Sequence, residues 1–344
     1  MAFRISVLPS GSTFAGESGE TILSAAIRQG IGMPYGCRDG VCGSCKCKLL
    51  EGIVVHGERR LEALSGEEEA AGYVLACCAV PQADIVLESR QVTDGGAFPI
   101  RKMPTRVLSL EKKSHDVMRV RLQFPTQERM HYQAGQYIEF VLRDGARRAY
   151  SMATAPHNGP IVELHVRHMP GGRFTDHVFS TMKEKDILRA EGPYGAFFLR
   201  ENSEKPMVLL ASGTGFAPIK AIIEYLQFKE ITRPAVLYWG GRRPADLYLS
   251  DWVATRVAEM PNLFYEPVVS DATPADDWTG RTGFVHKAVL QDFPDLSGHQ
   301  VYACGAPIVV DSARAEFCAQ AGLPPEEFFA DAFVTSADKP KASA

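Results

Sequence analysis

The chain has 344 residues, a net charge of −4 and an apolar share of 45%, which is enough for two or three domains with substantial cores. Its mild acidity leaves no basic footprint for nucleic acid, and no apolar run reaches the length of a membrane span. With no signal-peptide core at the N-terminus and eight cysteines gathered rather than spread as a disulfide framework, the expected compartment is the reducing cytoplasm.

Residues 3–8 and 12–15 alternate on either side of Pro9-Ser10-Gly11, the pattern of a hairpin. Thr21–Gln29 reads as a short amphipathic helix stopped by Gly30. A loop follows, Gly36-Cys37-Arg38-Asp39-Gly40-Val41-Cys42-Gly43-Ser44-Cys45, and then strands at 46–50 and 53–55. Ser65-Gly66-Glu67-Glu68 is a capping box opening a short helix; Gly72–Cys77 runs extended, and a last strand covers 84–88. Together these make a small α+β domain of the β-grasp kind over 1–92, followed by a Gly- and Pro-bearing linker at 93–101. From 102 to 203 short strands at 106–110, 117–122, 137–142 and 161–166 are split by Pro, Gly, Asn and Asp, which predicts an antiparallel barrel. One helix, Arg173–Met182, interrupts them. From 204 to 337 strands at 208–211, 235–239, 263–269 and 301–304 alternate with helices at 218–228, 251–259 and 308–320, an α/β parallel sheet. A tail at 338–344 is expected to be disordered.

Cys37, Cys42 and Cys45 stand at C-x4-C-x2-C, the spacing of plant-type 2Fe-2S loops, and the glycines allow backbone N–H groups to approach an anionic cluster. A structural zinc site is the rival, but zinc favours two separated cysteine pairs and only one is present. The fourth ligand is Cys77 or its neighbour Cys78, with Cys47 on the strand leaving the loop. In the barrel, Arg148-Ala149-Tyr150-Ser151 places a cation and an aromatic on one strand face with a hydroxyl opposite. Gly171-Gly172-Arg173-Phe174-Thr175 sets glycines before a helix N-terminus, suited to a pyrophosphate. In the third domain Gly213-Thr214-Gly215-Phe216-Ala217-Pro218 is a phosphate-cradling turn after a strand, and Cys304-Gly305-Ala306-Pro307 ends a later strand on the same edge, where ligands of parallel sheets bind.

Arg-x-Tyr-Ser, Gly-Gly-x-x-Thr, Gly-Thr-Gly-x-Ala-Pro and Cys-Gly-x-Pro, in this order behind the cysteine loop, resemble the ferredoxin–NADP reductase superfamily. The N-terminal ferredoxin domain narrows the likeness to oxygenase reductase components and to CDP-6-deoxy-3,4-glucoseen reductases. The second group is favoured by Glu191–Phe198, Asp277–His286 and Phe328–Val334. The resemblance implies a 2Fe-2S cluster on Cys37, Cys42, Cys45 and Cys77. For FAD it implies Arg148 on the phosphates, Tyr150 on the ring and Ser151 beside its reactive nitrogen. Backbone of His165, Val166 and Arg167 holds the ring system, Gly172 and Thr175 the pyrophosphate, and Phe333 is a displaceable aromatic. For the nicotinamide nucleotide it implies Gly213, Thr214, Gly215 and Pro218 at the phosphates, Cys304 and Gly305 at the nicotinamide, and Trp239, Gly240 and Arg242 at the border. Ser151 and Cys304 are the residues expected to align the reacting atoms.

The resemblance also implies that Asp271 lies near the adenosine ribose; a carboxylate there suits a free 2′-hydroxyl and favours NADH, while Arg242 and Arg243 leave NADPH open. The implied activity is electron transfer from NADH through FAD and the cluster to a partner protein. That partner is a pyridoxamine-phosphate-dependent dehydrase acting on a CDP-linked deoxysugar, or an oxygenase component. A redox-sensing module that uses the cofactors without turnover is the reading of a different class, and the intact motifs for all three cofactors speak against it.

Overall fold

The computed structural model describes residues 2–92, 98–127 and 130–335. Linker residues 93–97 and the tail expected to be disordered, 338–344, lie outside the described residues. The chain divides into two compact units: Met1–Pro99 with Gly195–Phe197 and Asp331–Ala344, and Ile100–Tyr194 with Phe198–Ala330.

The first unit contains strands β1 (Ala2–Leu8), β2 (Ser12–Glu17), β3 (Lys46–Glu51), β4 (Val54–His56), β5 (Tyr73–Leu75), β6 (Ala79–Pro81) and β7 (Ile85–Glu88). Its helices are α1 (Ile22–Arg28) and α2 (Gly66–Ala70). A five-stranded sheet runs β2-β1-β7-β3-β5, with β1 and β7 parallel and its other pairs antiparallel, beside a β4–β6 ribbon. Alternation on β1 sends Ile5 and Val7 inward. They meet Ile22, Leu23, Ala25 and Ala26 of α1, whose first turn is capped by Thr21 accepting from the Ser24 N–H. The capping box at Ser65 and Glu68 forms with both of its hydrogen bonds.

In the second unit β8 (Arg101–Lys112), β9 (Val117–Gln123), β10 (Tyr137–Val141), β11 (Arg147–Ser151), β12 (Ile161–Arg167) and β13 (Ile187–Tyr194) make an antiparallel sheet ordered β11-β10-β13-β8-β9-β12. An antiparallel bridge from Met152 to Leu164 joins its two edges and closes it as a barrel. Helix α3 (Arg173–Ser180) interrupts it between β12 and β13. β8 starts at Arg101, inside the stretch expected to be linker, because its long N-terminal half pairs with β13. β13 itself escapes sequence reading: Gly192 and Pro193 punctuate it as a turn would, yet it is held between β10 and β8.

The unit's other layer is a sheet ordered β17-β16-β15-β14-β18-β19. Its strands are β14 (Met207–Ser212), β15 (Ala235–Gly241), β16 (Leu263–Val269), β17 (Arg281–Thr282), β18 (Gln300–Gly305) and β19 (Phe328–Ala332). Helices α4 (Phe216–Phe228), α5 (Ser250–Glu259), α6 (Val285–Asp292) and α7 (Pro307–Ala321) connect them. The pairs β14–β15, β14–β18 and β15–β16 are parallel, and β14 and β18 are buried over nearly their whole length, as continuous apolar runs in such sheets require. α4 opens at Phe216, two residues before the expected Pro218; a proline in the first turn costs no hydrogen bond, since those N–H groups have no partner within the helix. No described helix is long and apolar enough to cross a membrane.

Candidate functional site

Four of the six cysteines of the first unit form two pairs. Cys37 and Cys42 share a side-chain hydrogen bond, and so do Cys45 and Cys77. Backbone N–H groups of Asp39, Val41 and Cys42 each point at Cys37 Sγ at 3.4 Å, and the Cys37 N–H points back at Cys42 Sγ at 3.4 Å. The fold obtains this by left-handed backbone at Arg38, Gly40 and Gly43. At Gly40 a Cβ would lie 2.7 Å from Cys78 Sγ and 2.8 Å from the Glu58 carbonyl, so only glycine fits. A single tetrahedral zinc would draw four sulfurs to within about 3.8 Å of one another. No three cysteine sulfurs among the described residues lie within 4.8 Å of each other. Two pairs in a nest of N–H donors fit a binuclear anionic cluster and not one zinc ion. Cys47 is a core residue of the sheet, its thiol pushed up to about 12 by burial. Cys78 is half-buried with its Sγ 3.5 Å from that of Cys77, so it borders the site instead of packing elsewhere.

In the barrel, Arg148 and Tyr150 are half-buried on one face of β11 and Ser151 is buried on the other. The Tyr150 ring packs on Phe174 of α3 at 5.1 Å, and Arg173 pairs with Asp144 in the β10–β11 turn. These contacts bring the Arg-x-Tyr-Ser strand to the Gly-Gly turn. Gly172 caps α3 with no side chain, and a Cβ there would sit 2.5 Å from Thr175 Oγ1. The Thr175 hydroxyl donates to the Met169 carbonyl at 2.9 Å and accepts from its N–H at 3.2 Å. The hydroxyl is therefore used by the turn, and the backbone N–H groups of the first helical turn are what this site offers an anion. β12 pairs with β9 along its whole length, while its other edge carries the single bridge at Leu164, just before His165, Val166 and Arg167.

The two glycine turns of the parallel sheet meet on its carboxyl edge. A Cβ on Gly215 would fall 2.1 Å from the Cys304 carbonyl, and one on Gly305 2.4 Å from that of Ser212. Gly213 has φ +54 and lies against the Arg167 guanidinium, which reaches across from β12. Trp239 donates from Nε1 to the Gly213 carbonyl at 3.0 Å and stacks on Phe216 with centroids 4.0 Å apart. On the same edge Asp271 donates its N–H to the Arg242 carbonyl at 2.9 Å, and Ser270 to that of Gly241 at 3.0 Å. Thr214, Pro218 and Cys304 are buried, Gly240 is closed off by Val285, and Asp271 and Arg242 are exposed. Phe333 is half-buried just past β19 and groups with the first unit, not with the sheet.

Sequence reading missed a polar cluster between barrel and sheet. His165 is hydrogen-bonded through Nε2 to Glu163 Oε1 and through Nδ1 to the Tyr248 hydroxyl, each at 2.9 Å. Lys220 Nζ lies 3.4 Å from Glu163, 3.0 Å from the Ala153 carbonyl and 2.5 Å from Glu224. Burial raises the Glu163 carboxyl, but the His165 hydrogen bond and the charges of His165, Lys220 and Arg119 outweigh it and hold the group at about 2. Burial lowers His165 and pushes Tyr248 well above the ordinary phenol range. The available signal was a charge inside an apolar period: Glu163 in Ile161–Val166 and Lys220 in Phe216–Leu226.

Residues 5–82 match the 2Fe-2S iron-sulfur cluster binding domain, 104–199 the oxidoreductase FAD-binding domain and 209–315 the oxidoreductase NAD-binding domain. The chain is 40% identical to a CDP-6-deoxy-L-threo-D-glycero-4-hexulose-3-dehydrase reductase of Yersinia pseudotuberculosis, over 98% of this chain and all of that one. It is 34% identical to reductase component 1 of a Comamonas terephthalate 1,2-dioxygenase, over 98% of each. Among solved structures the Amycolatopsis reductase GcoB superposes with a TM-score of 0.77 at 36% identity, over 97% of this chain and 99% of that one.

Proposed function

Since this chain belongs to the family of iron–sulfur flavoprotein reductases that join a ferredoxin domain to FAD- and NAD-binding domains, we propose how its residues divide the work of passing electrons from NADH to a partner enzyme. When bound, FAD takes two electrons as hydride and the cluster passes them on singly, which is chemistry the cofactors supply. The observation that carries the reading is the arrangement of Cys37, Cys42, Cys45 and Cys77 as two pairs under converging N–H groups. These four hold the cluster, and the Gly36–Cys45 backbone tunes it through N–H···S bonds.

For FAD, Arg148 and the uncapped first turn of α3 after Gly172 bind the phosphates, with Thr175 holding that turn in shape. Tyr150 flanks the ring, Ser151 orients its reactive edge, and the open edge of β12 at His165–Arg167 supplies backbone groups. For the nucleotide, the Gly213–Gly215 turn cradles the phosphates at the start of α4, where Pro218 is accommodated without loss of a helical hydrogen bond. Cys304 and Gly305 place the nicotinamide, Trp239 and Gly240 wall the site, and Asp271 beside Arg242 meets the ribose. Phe333 is the aromatic that gives way to nicotinamide. No acid–base pair is needed, because hydride transfer depends on alignment.

For the acceptor we propose a pyridoxamine-phosphate-dependent dehydrase acting on a CDP-linked deoxysugar, which the 40% identity to the Yersinia reductase favours. The oxygenase reading is supported by the 34% identity to the Comamonas component. Rapid mixing of NADH with the purified protein tests the carrier order. Wild type bleaches its flavin and reduces cytochrome c, whereas Cys42→Ser keeps flavin bleaching and loses cytochrome reduction. Loss of flavin bleaching in a folded Cys42→Ser protein refutes this order. Reconstitution with each class of purified acceptor separates the two partner readings by product formation.

A further inference from the structure

Three buried charged or titratable side chains of the second unit sit together where the barrel meets the parallel sheet. His165, Lys220 and Glu163 are 4%, 5% and 8% exposed. Burying such groups is costly, and an apolar set of the same size would stabilise the fold at least as well, so net stability is a poor account of them. Their connections suggest another. Tyr248, which packs edge-on against Trp239 at 5.2 Å, reaches His165 on β12; His165 reaches Glu163, and Glu163 reaches Lys220. Lys220 lies on α4, the helix that leaves the Gly213–Gly215 turn directly, and it bonds to the Ala153 carbonyl two residues beyond Ser151. Glu224, one turn further along α4, accepts from the Ala155 N–H at 2.9 Å and from Asn158 at 3.0 Å. Trp239 closes the circuit on the Gly213 carbonyl.

The donors and acceptors are consistent around this path. Ionised Glu163 only accepts, so His165 carries its proton on Nε2, and Nδ1 accepts from the Tyr248 hydroxyl. Both ends are thereby tied to elements assigned to different cofactors: β12 and the Ser151–Ala153 segment on the flavin side, the Gly213 turn and α4 on the nucleotide side.

Resting on the reductase reading, we propose that Tyr248, His165, Glu163 and Lys220 form a positioning network that holds the flavin-side strand edge in register with the nucleotide-side turn for hydride transfer. None of the four needs to touch the reacting atoms. Their effect is geometric, and a misplacement of about 1 Å can cost roughly a hundredfold in such a step.

The test uses the full-length protein with Tyr248→Phe, which removes one oxygen, and Lys220→Met. In rapid mixing, the limiting rate of flavin bleaching at saturating NADH is expected to fall at least about tenfold in both, while the apparent Kd for NADH changes by less than about threefold because the phosphate turn is intact. In the FAD-stripped protein, hydrogen exchange of 161–167 and 216–224 is expected to quicken together in Tyr248→Phe. Wild-type limiting rates in FAD-loaded variants overturn the proposal. A variant that loses FAD while its remaining flavin reacts at the wild-type rate does so as well. If Lys220→Met does not fold, the near-isosteric Tyr248→Phe decides between the outcomes alone. A wild-type flavin that NADH does not bleach refutes the reductase reading instead; the exchange measurement then decides the network, and equal exchange in Tyr248→Phe and wild type sinks it.

Discussion

At the scale of single residues, the contacts that matter are those where one atom more or less changes the chemistry. Gly40, Gly215 and Gly305 each lie against another segment so closely that a methyl group has no room, which is how backbone comes near enough to serve sulfurs or phosphates. Asp271 has the opposite character: it is exposed and anchored by its own N–H to the Arg242 carbonyl, and we propose that its carboxylate selects the nucleotide. A carboxylate repels a 2′-phosphate, so Asp271→Ala should raise the NADPH-to-NADH ratio of kcat/KM at least about tenfold, mainly through better use of NADPH. Steady-state kinetics with the two nucleotides reads this, and an unchanged ratio removes Asp271 from the ribose site. The glycine positions were legible in sequence because turn chemistry is local. Glu163 and Lys220 were not, since a charge in an apolar run announces burial but not its partner.

At the scale of elements, the second helix shows how little a short segment owes to its own propensity. α2 has five residues with none buried, too short to persist alone. It is held by Ser65 Oγ accepting from the Glu68 N–H at 3.1 Å and Glu68 Oε2 accepting from the Ser65 N–H at 3.0 Å, with Lys46 bound to the same glutamate. Ser65→Ala should therefore destabilise the first unit by about 1 kcal/mol. This would appear as a lower urea midpoint for loss of the visible cluster absorbance; no shift would mean that neighbouring contacts hold the segment without its cap. The capping box could be read from four residues. β13 could not, because Gly192 and Pro193 look like a turn until the barrel supplies partners on both sides.

At the scale of the whole molecule, stability in acid follows from the buried cluster. Glu163 is held at about 2 in the folded protein against an ordinary value of 4.5. A group lowered on folding stabilises the fold above its unfolded value, and that contribution is lost as pH falls through its folded one. His165, lowered from 6.5 by burial, acts in the same direction from a higher pH. Wild type should thus lose stability on acidification below about 6.5 and more steeply between about 4.5 and 2. In Glu163→Gln the lower part of that slope should flatten. Thermal melting across this range measures it, and parallel curves for the two proteins would show that Glu163 carries none of the acid response.

What the amino-acid sequence determined by itself is the order of three cofactor-binding segments and the residue types at their turns, because cysteine spacing, glycine placement and hydrophobic period are set within ten or so neighbouring positions. The tertiary structure decided the pairing of Cys37 with Cys42 and Cys45 with Cys77, the meeting of the Gly215 and Gly305 turns, and the joining of Tyr248, His165, Glu163 and Lys220. These contacts link positions up to about ninety residues apart. They depend on strand order and register, which only the packing of the whole chain selects.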